Sequence, residues 1–242
     1  MPEPEAELVE LAQDQAFAFA CGPGVPCFNA CCRDLNQFLT PYDILRLKNA
    51  LGLSSERFLE DYTRAHTGPS TGLPVRTLVS RGPERECVFL TPEGCRVYGD
   101  RPSSCRTYPL VRMASRNRAT GETSERWFLL QEAHCRGFGG EALHTPAQWA
   151  ADQGLATYNR RNDRFMEVIA AKNQEAPGPL SGEKEQDFVL ACYDLDRFAD
   201  LLARGGLHRA ETLASDLPAP GDEEGMLDLA LRWIIQRIAS PF

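Results

Sequence analysis

Hydrophobic positions along the chain alternate in a few short stretches and recur at helical spacing in others. Ala16-Phe17-Ala18-Phe19-Ala20 alternates large and small residues and predicts a short strand. It runs into Gly22-Pro23-Gly24-Val25-Pro26, which cannot be regular structure. Thr40-Pro41-Tyr42-Asp43 is a helix start: Thr40 can cap, Pro41 suits the first helical position and Asp43 can complete a capping box. Ile44, Leu47 and Leu51 mark one face of that helix and Gly52 ends it. Ser54 is placed to cap a second short helix carrying Phe58, Leu59 and Tyr62. Leu73–Ser80 and Trp127–Leu130 predict strands, whereas Cys87–Pro109, rich in Gly, Pro and Arg, reads mostly as loop.

After Cys135 the texture changes. Thr145-Pro146-Ala147-Gln148 repeats the Thr-Pro capping signal, and Leu155, Tyr158, Phe165 and Ile169 follow on one helical face. Asn173–Gly182 reads as a linker. Phe188, Ala191, Leu195, Phe198 and Leu202 mark a further helix, and Leu227, Ala230, Ile234 and Ile238 a last one. Residues 1–15 read as a frayed acidic start. The pattern predicts an α+β chain, mostly helical and loop-rich. A small cysteine-bearing module with short strands spans residues 1–140, and a helical C-terminal region spans 141–242.

Composition narrows the function classes. The apolar fraction is 43% and the charged fraction 25%, ordinary for a globular chain that buries a core without staples. A net charge of −8 argues against nucleic acid as a partner, since general nucleic-acid binding relies on a basic surface. No apolar run approaches the roughly 18–20 residues of a membrane span, so no membrane partner is expected. The start, Met-Pro-Glu-Pro-Glu-Ala-Glu, is acidic where a secretory signal is basic and then apolar, which makes the cytoplasm the expected compartment. A protein partner is compatible with this composition, and nothing in the sequence identifies one.

The cysteines carry the chemistry. Of nine, eight fall within Cys21–Cys135: Cys21, Cys27, Cys31 and Cys32, then Cys87, Cys95, Cys105 and Cys135. In a reducing compartment clustered cysteines bind metal or do redox chemistry more often than they form disulfides, and an odd total also counts against a disulfide framework. Thiolates brought together need positive charge nearby. Arg33, Arg96, Arg106 and Arg136 each directly follow a clustered cysteine. The surrounding glycines and prolines suit loops that bring backbone N–H groups to sulfur, although plain turn-making would use the same residues. Spacing does not choose the metal. Cys27-x3-Cys31 is the only pair in the usual zinc window, yet eight ligands would fill two tetrahedral zinc sites, one four-iron cluster with four thiols to spare, or two clusters. Cys192 sits among helical apolar positions and reads as core. His134, beside Cys135, reads as a bystander. The aromatic residues Phe28, Phe89, Tyr98 and Tyr108 lie near the ligands and read mainly as packing. Tyr108, between Cys105-Arg106 and Pro109, is the exception to watch.

Cys87-Val-Phe-Leu-Thr-Pro-Glu-Gly-Cys95-Arg-Val-Tyr, followed by Arg101-Pro-Ser-Ser-Cys105-Arg106-Thr-Tyr108-Pro109, resembles the signature of the YkgJ-family cysteine cluster proteins, the zinc- or iron-chelating CxxCxxCC domain family. Cys31-Cys32-Arg33 with Leu39-Thr40-Pro41-Tyr42-Asp43-Ile44 is similar to its first half, and Cys135-Arg-Gly-Phe-Gly to its close. The likeness covers about residues 19–140. It implies a metal held by Cys21, Cys27, Cys31, Cys32, Cys87, Cys95, Cys105 and Cys135, with Arg33, Arg101, Arg106 and Tyr108 as cofactor-binding neighbours. The family's short form packs its first cysteines two residues apart; here the gaps are five and three.

Three functions follow. The first is a metal-binding protein holding an iron–sulfur cluster, structural or electron-carrying, with Zn2+ at one or two sites as the alternative. The second is a protein-modifying enzyme, since the family includes flagellin lysine N-methylases that use S-adenosylmethionine. The radical form of such chemistry needs Cys-x3-Cys-x2-Cys, and here Cys27-x3-Cys31 is followed at once by Cys32. The third is an interaction module with two structural zinc sites. No Gly-rich phosphate loop, nucleophile elbow or His-Glu zinc-protease motif is present in the sequence.

Overall fold

The computed structural model describes residues 6–69, 71–117, 120–208, 213 and 216–239. The chain is α+β. Its strands and helices run β1 (Glu7–Leu11), β2 (Phe17–Ala18), β3 (Phe38–Leu39), α1 (Pro41–Leu51), α2 (Ser55–Tyr62), β4 (Thr63–Thr67), β5 (Pro74–Leu78), β6 (Ser80–Arg81), β7 (Glu86–Cys87), β8 (Leu90–Thr91), β9 (Gly94–Cys95), α3 (Ser103–Thr107), β10 (Leu110–Arg116), β11 (Thr123–Gln131), β12 (Leu143–His144), α4 (Pro146–Asp152), α5 (Leu155–Glu175), α6 (Gly182–Cys192), α7 (Leu195–Ala203) and α8 (Glu223–Ala239). No helix among the described residues is long and apolar enough to cross a membrane.

The elements form two compact units, each discontinuous in sequence: Met1–Gln37 with Ser80–Arg160, and Phe38–Val79 with Arg161–Phe242. This is not a single cut near residue 140. Residues 38–79 leave the cysteine-bearing stretch because α1 and α2 turn apolar faces, Leu47 and Phe58 among them, onto the later helices α7 and α8.

In the first unit, β1, β11 and β10 form an antiparallel sheet in that order, with Leu11 opposite Trp127 and Leu110 opposite Leu129. Side chains alternate across a strand, so these four face one side. They pack with Phe17, Phe19 and Leu155 into a core on whose edge Tyr108 and Cys135 sit. Phe19 meets Trp149 of α4 edge-on at 5.6 Å. β1 corrects the expected frayed start: its charges alternate with Leu8, Val9 and Leu11 closely enough to pair with β11 over five residues. Residues 1–5 of that start lie outside the described residues.

In the second unit, β3, β5 and β4 form an antiparallel sheet. Leu47, Phe58, Phe188, Phe198, Trp233 and Ile234 are buried in its helical part. Both Thr-Pro signals, one in each unit, give full capping boxes: Thr40 with Asp43, and Thr145 with Gln148. Gly52 closes α1 at φ 65°, a left-handed position that glycine adopts without a Cβ clash. Two expectations shift. The stretch 173–182 is not all linker, because α5 continues to Glu175. The single helix expected from Phe188 to Leu202 is two. Between them Asp194 turns its carboxylate to accept from Ser55 Oγ at 2.6 Å, and Ser55 Oγ in turn accepts from the Asp196 amide at 3.1 Å. Cys192 is buried in this unit, as expected of core.

Candidate metal centre

Four segments of the first unit carry the eight clustered cysteines. Cys21–Cys32 is a run of tight turns, with Val25 N–H donating to Gly22 O, Phe28 to Val25 O and Ala30 to Cys27 O, each at 2.9 Å. It ends in a single 3-10 turn, Ala30–Cys32, that holds the adjacent pair Cys31 and Cys32. Asn29 enters that turn at φ 71°, a position asparagine tolerates better than most residues. Its side chain reaches across to donate to Thr91 O at 3.2 Å and so ties this segment to the next.

The second segment is a pair of miniature hairpins. In β6–β7, Ser80 lies opposite Cys87, and in β8–β9, Leu90 lies opposite Cys95. Each cysteine therefore ends a two-residue strand. Gly94 sits at φ 121°, and a Cβ there would lie 3.2 Å from Phe28 Cζ, so glycine lets the first segment's ring rest on the hairpin. The third segment is the single-turn helix α3 with Cys105 at its centre. The fourth is the turn after β11, where Cys135 N–H donates to Glu132 O at 2.9 Å. Gly137 follows, packed so closely on Phe19 that a Cβ would lie 2.6 Å from its ring.

All nine cysteines are free thiols. The eight fall into one electrostatic neighbourhood centred on Cys31 and Cys32. A hydrogen bond from Cys32 brings the Cys31 thiol down to about 7, against the opposing effect of burial. Giving that hydrogen bond, with burial and the nearby Cys31, Cys87 and Cys105, pushes Cys32 far up. Cys21, the one exposed member, is raised by desolvation and by Cys31, Cys27 and Cys135. Burial raises Cys87 and Cys95, and each also feels Cys31. So many thiolates cannot coexist here without added positive charge, because each raises the cost of ionising the next. A bound cation would supply that charge, and thiolates are the sulfur ligands a soft metal takes.

The backbone addresses several sulfurs. Arg136 N–H donates to Cys27 Sγ at 3.0 Å. The amides of Phe89 and Val97 point at the sulfurs of Cys87 and Cys95, each two residues before, and favour their ionised forms. Tyr108 presents a different opening. Its hydroxyl is buried with no well-aligned hydrogen-bond partner among the described residues, and Cys135 and Glu132 are the ionisable groups close enough to interact with it. An orphaned buried donor facing a thiol is what a thiolate in that place would satisfy. The donor set, its amide N–H groups and this hydroxyl fit a soft metal. Among the described residues, no three His, Cys, Asp or Glu side chains already stand as one metal's ligand set.

The four non-cysteine candidates divide. Arg101 is buried, stacked at 3.8 Å over the Tyr98 ring and donating to Tyr98 O at 2.7 Å, and its charge reaches Cys105, Cys95 and Cys21. Tyr108 faces Cys135. Arg33 turns instead to Glu84 at 3.0 Å and Glu86 at 3.1 Å. Arg106 donates to Gln153 O at 2.7 Å and lies 4.6 Å over the Tyr158 ring. Adjacency in sequence to a cysteine did not decide which arginine serves the thiols. Arg81, whose charge lowers Cys87, was missed because it reaches that thiol across a hairpin. Gln37 was missed as well. It is buried, accepts from Cys105 Sγ at 3.2 Å and donates to Ser104 Oγ, and nothing in its sequence context marks it.

Residues 20–136 match the family described as "putative zinc- or iron-chelating domain", CxxCxxCC. The segment belongs to the CxxCxxCC family. The matched residues contain all eight clustered cysteines and all four hairpin strands β6–β9, so the family likeness supports metal binding by this segment in general terms. The CxxCxxCC segment also takes in β3, α1, α2, β4 and β5 of the second unit. No curated protein and no solved structure matches the chain.

Proposed function

We propose that the eight cysteines of the CxxCxxCC domain hold an iron–sulfur cluster, structural or electron-carrying. The observation that supports this is the gathering of thiols from four segments around Cys31 and Cys32, with backbone N–H groups aimed at sulfur. Amide hydrogen bonds to sulfur stabilise iron–sulfur centres and tune their potentials. In this reading Arg101 and Tyr108 stand beside the ligands, Arg101 offsetting thiolate charge and Tyr108 donating to Cys135. A reducing compartment such as the cytoplasm suits free thiols and a reduced metal.

A second reading, zinc at two sites, draws on how the thiols group. Cys21 feels Cys27, Cys31 and Cys135, while Cys32 feels Cys87 and Cys105, and Cys87 feels Cys95, with Cys31 also reaching Cys87 and Cys95. Two sets of four meeting at the adjacent pair would each complete a tetrahedral site.

Anaerobic purification followed by iron, zinc and acid-labile sulfide analysis with a visible spectrum tests both. Iron with matching sulfide and a broad brown absorption is the expected result. Two zinc ions per chain and no colour would replace it with the second reading. Folded protein free of both metals would sink both.

A further inference from the structure

Gln37 is an uncharged side chain from outside the cysteine set that is hydrogen-bonded to a clustered thiol, and the polarity of that bond is informative. Cys105 Sγ donates to Gln37 Oε1 at 3.2 Å, and Gln37 Nε2 donates to Ser104 Oγ. Gln37 is buried, at 5% exposure, so it cannot exchange these partners freely with water. This arrangement suits a protonated thiol. A metal takes the place of that proton, and a metal-bound thiolate has nothing to donate. The amide oxygen would then face an anionic sulfur with no hydrogen between them, a buried clash of two acceptors.

A carboxamide can resolve this without moving its backbone, because its oxygen and nitrogen are nearly the same size. Rotating the amide by half a turn presents Nε2–H to sulfur and Oε1 to Ser104. The Ser104 hydroxyl, which can donate as readily as it accepts, rotates to donate to that oxygen. Each of these bonds survives with its direction reversed.

We infer that Gln37 is a positioning residue for the metal centre, an amide that accepts from the Cys105 thiol in the metal-free chain and donates to the Cys105 thiolate when metal is bound. This rests on the reading that Cys105 is a ligand. Donation to a ligating sulfur disperses its charge and fixes its orientation, and loss of such an outer partner typically costs about 10–100-fold in metal affinity. The inverted pair also links occupancy to residue 37, immediately before β3.

Gln37→Glu separates the two states. An ionised carboxylate keeps the size and the acceptor, so it still takes a bond from a protonated thiol but cannot donate to a thiolate. Because burial favours the protonated carboxyl, which can donate, retention is compared at rising pH, where the defect should grow. The measurement is metal retained per chain, iron or zinc as isolated, against a graded chelator challenge, alongside the melting temperature of metal-free protein. The expected result is metal retention weakened about 10–100-fold with the metal-free melting temperature unchanged. Gln37→Asn, which restores a donor on a shorter arm, recovers part of the retention. Equal retention in Gln37→Glu and wild type would overturn the inference, as would a metal-free melting temperature that falls in step with retention, since that is simple misfolding. Cys105→Ser in the same assay isolates the underlying reading: undiminished metal there removes Cys105 from the ligand set, whereas lost metal there with normal Gln37→Glu retention sinks only the role of Gln37.

Discussion

The two units solve the problem of staying folded by different means. The second unit buries large apolar side chains: Phe58, Phe188, Phe198 and Ile234 are each fully covered, Phe58 on a helix capped by Ser54. The cysteine-bearing part of the first unit has two-residue strands, single-turn helices and partly exposed sulfurs. Its apolar core lies to one side, under the β1–β11–β10 sheet, and only Cys135 among the eight packs against it. Apolar burial is present whatever the solvent contains. A set of thiolates is cohesive only when something offsets their charge, so on the proposed metal-centre reading the order of these loops should depend on the metal.

The largest expected effect follows from that conditionality. Stripping the metal under reducing conditions should release amide hydrogen-exchange protection in residues 21–37, 80–109 and 132–137. The local loss should be on the order of several kcal/mol, because the binding free energy of a thiolate-held metal is also folding free energy. Protection in α1, α2 and α6–α8 should persist. Loss spread evenly over both units would erase the distinction.

The converse change acts on the second unit. Phe58 is fully buried and stacks on Tyr62 at 5.5 Å. Phe58→Ala should cost about 3–5 kcal/mol of stability through lost burial and the cavity left behind. Metal per folded chain should stay at the wild-type value, measured by elemental analysis of the soluble fraction. A proportional loss of metal would mean that the units do not stand apart energetically.

A third change works where metal loop and apolar core meet. Gly137 follows Cys135 by two residues, and a Cβ there would press on the Phe19 ring and lie 2.7 Å from Ala20 O. Gly137→Ala should cost about 1–3 kcal/mol by overpacking. It should also speed metal loss, because Phe19 and Cys135 share that edge. Unchanged stability in a denaturant titration would show that the loop yields at no cost.

How much of this was readable from residues alone depends on how local the signal was. The helix starts at Thr40 and Thr145 were legible because a capping box needs only four consecutive residues. The eight-cysteine set and the burial of Cys192 were legible because composition and periodicity carry them. β1 and β10 were not, since their pairing partner lies in β11, far along the chain for β1, and their charged residues interrupt the apolar pattern. The break at Asp194 is made by Ser55, which periodicity within one helix cannot reveal. The roles of the arginines divided for a similar reason. Arg33 directly follows a cysteine and Arg101 does not, yet Glu84 and Glu86 engage the first while Tyr98 and Gln153 hold the second beside the sulfurs. The Gln37 amide is the extreme case, visible only as a contact.

The smallest effect lies in the second unit's polar seam and separates it from the thiol chemistry by pH. Burial alone would raise the Glu224 carboxyl, but Arg161 at 2.7 Å and the Tyr42 hydroxyl at 2.9 Å outweigh it and hold it below the ordinary carboxylate range. A carboxyl depressed in the folded state contributes stability above its unfolded value, and that contribution disappears as pH falls through the folded value. The Glu224 side chain is 40% exposed, so screening limits the contribution to about 1 kcal/mol at most. Glu224→Gln should therefore melt slightly below wild type at neutral pH. The gap should close on acidification past the ordinary carboxylate range, where wild type too carries a neutral side chain. Metal retention at neutral pH should be identical in the two proteins. A gap that widens toward acid would place the stabilising charge elsewhere in the seam, with Asp228, which pairs with the same Arg161 at 2.5 Å, the next carboxylate to neutralise.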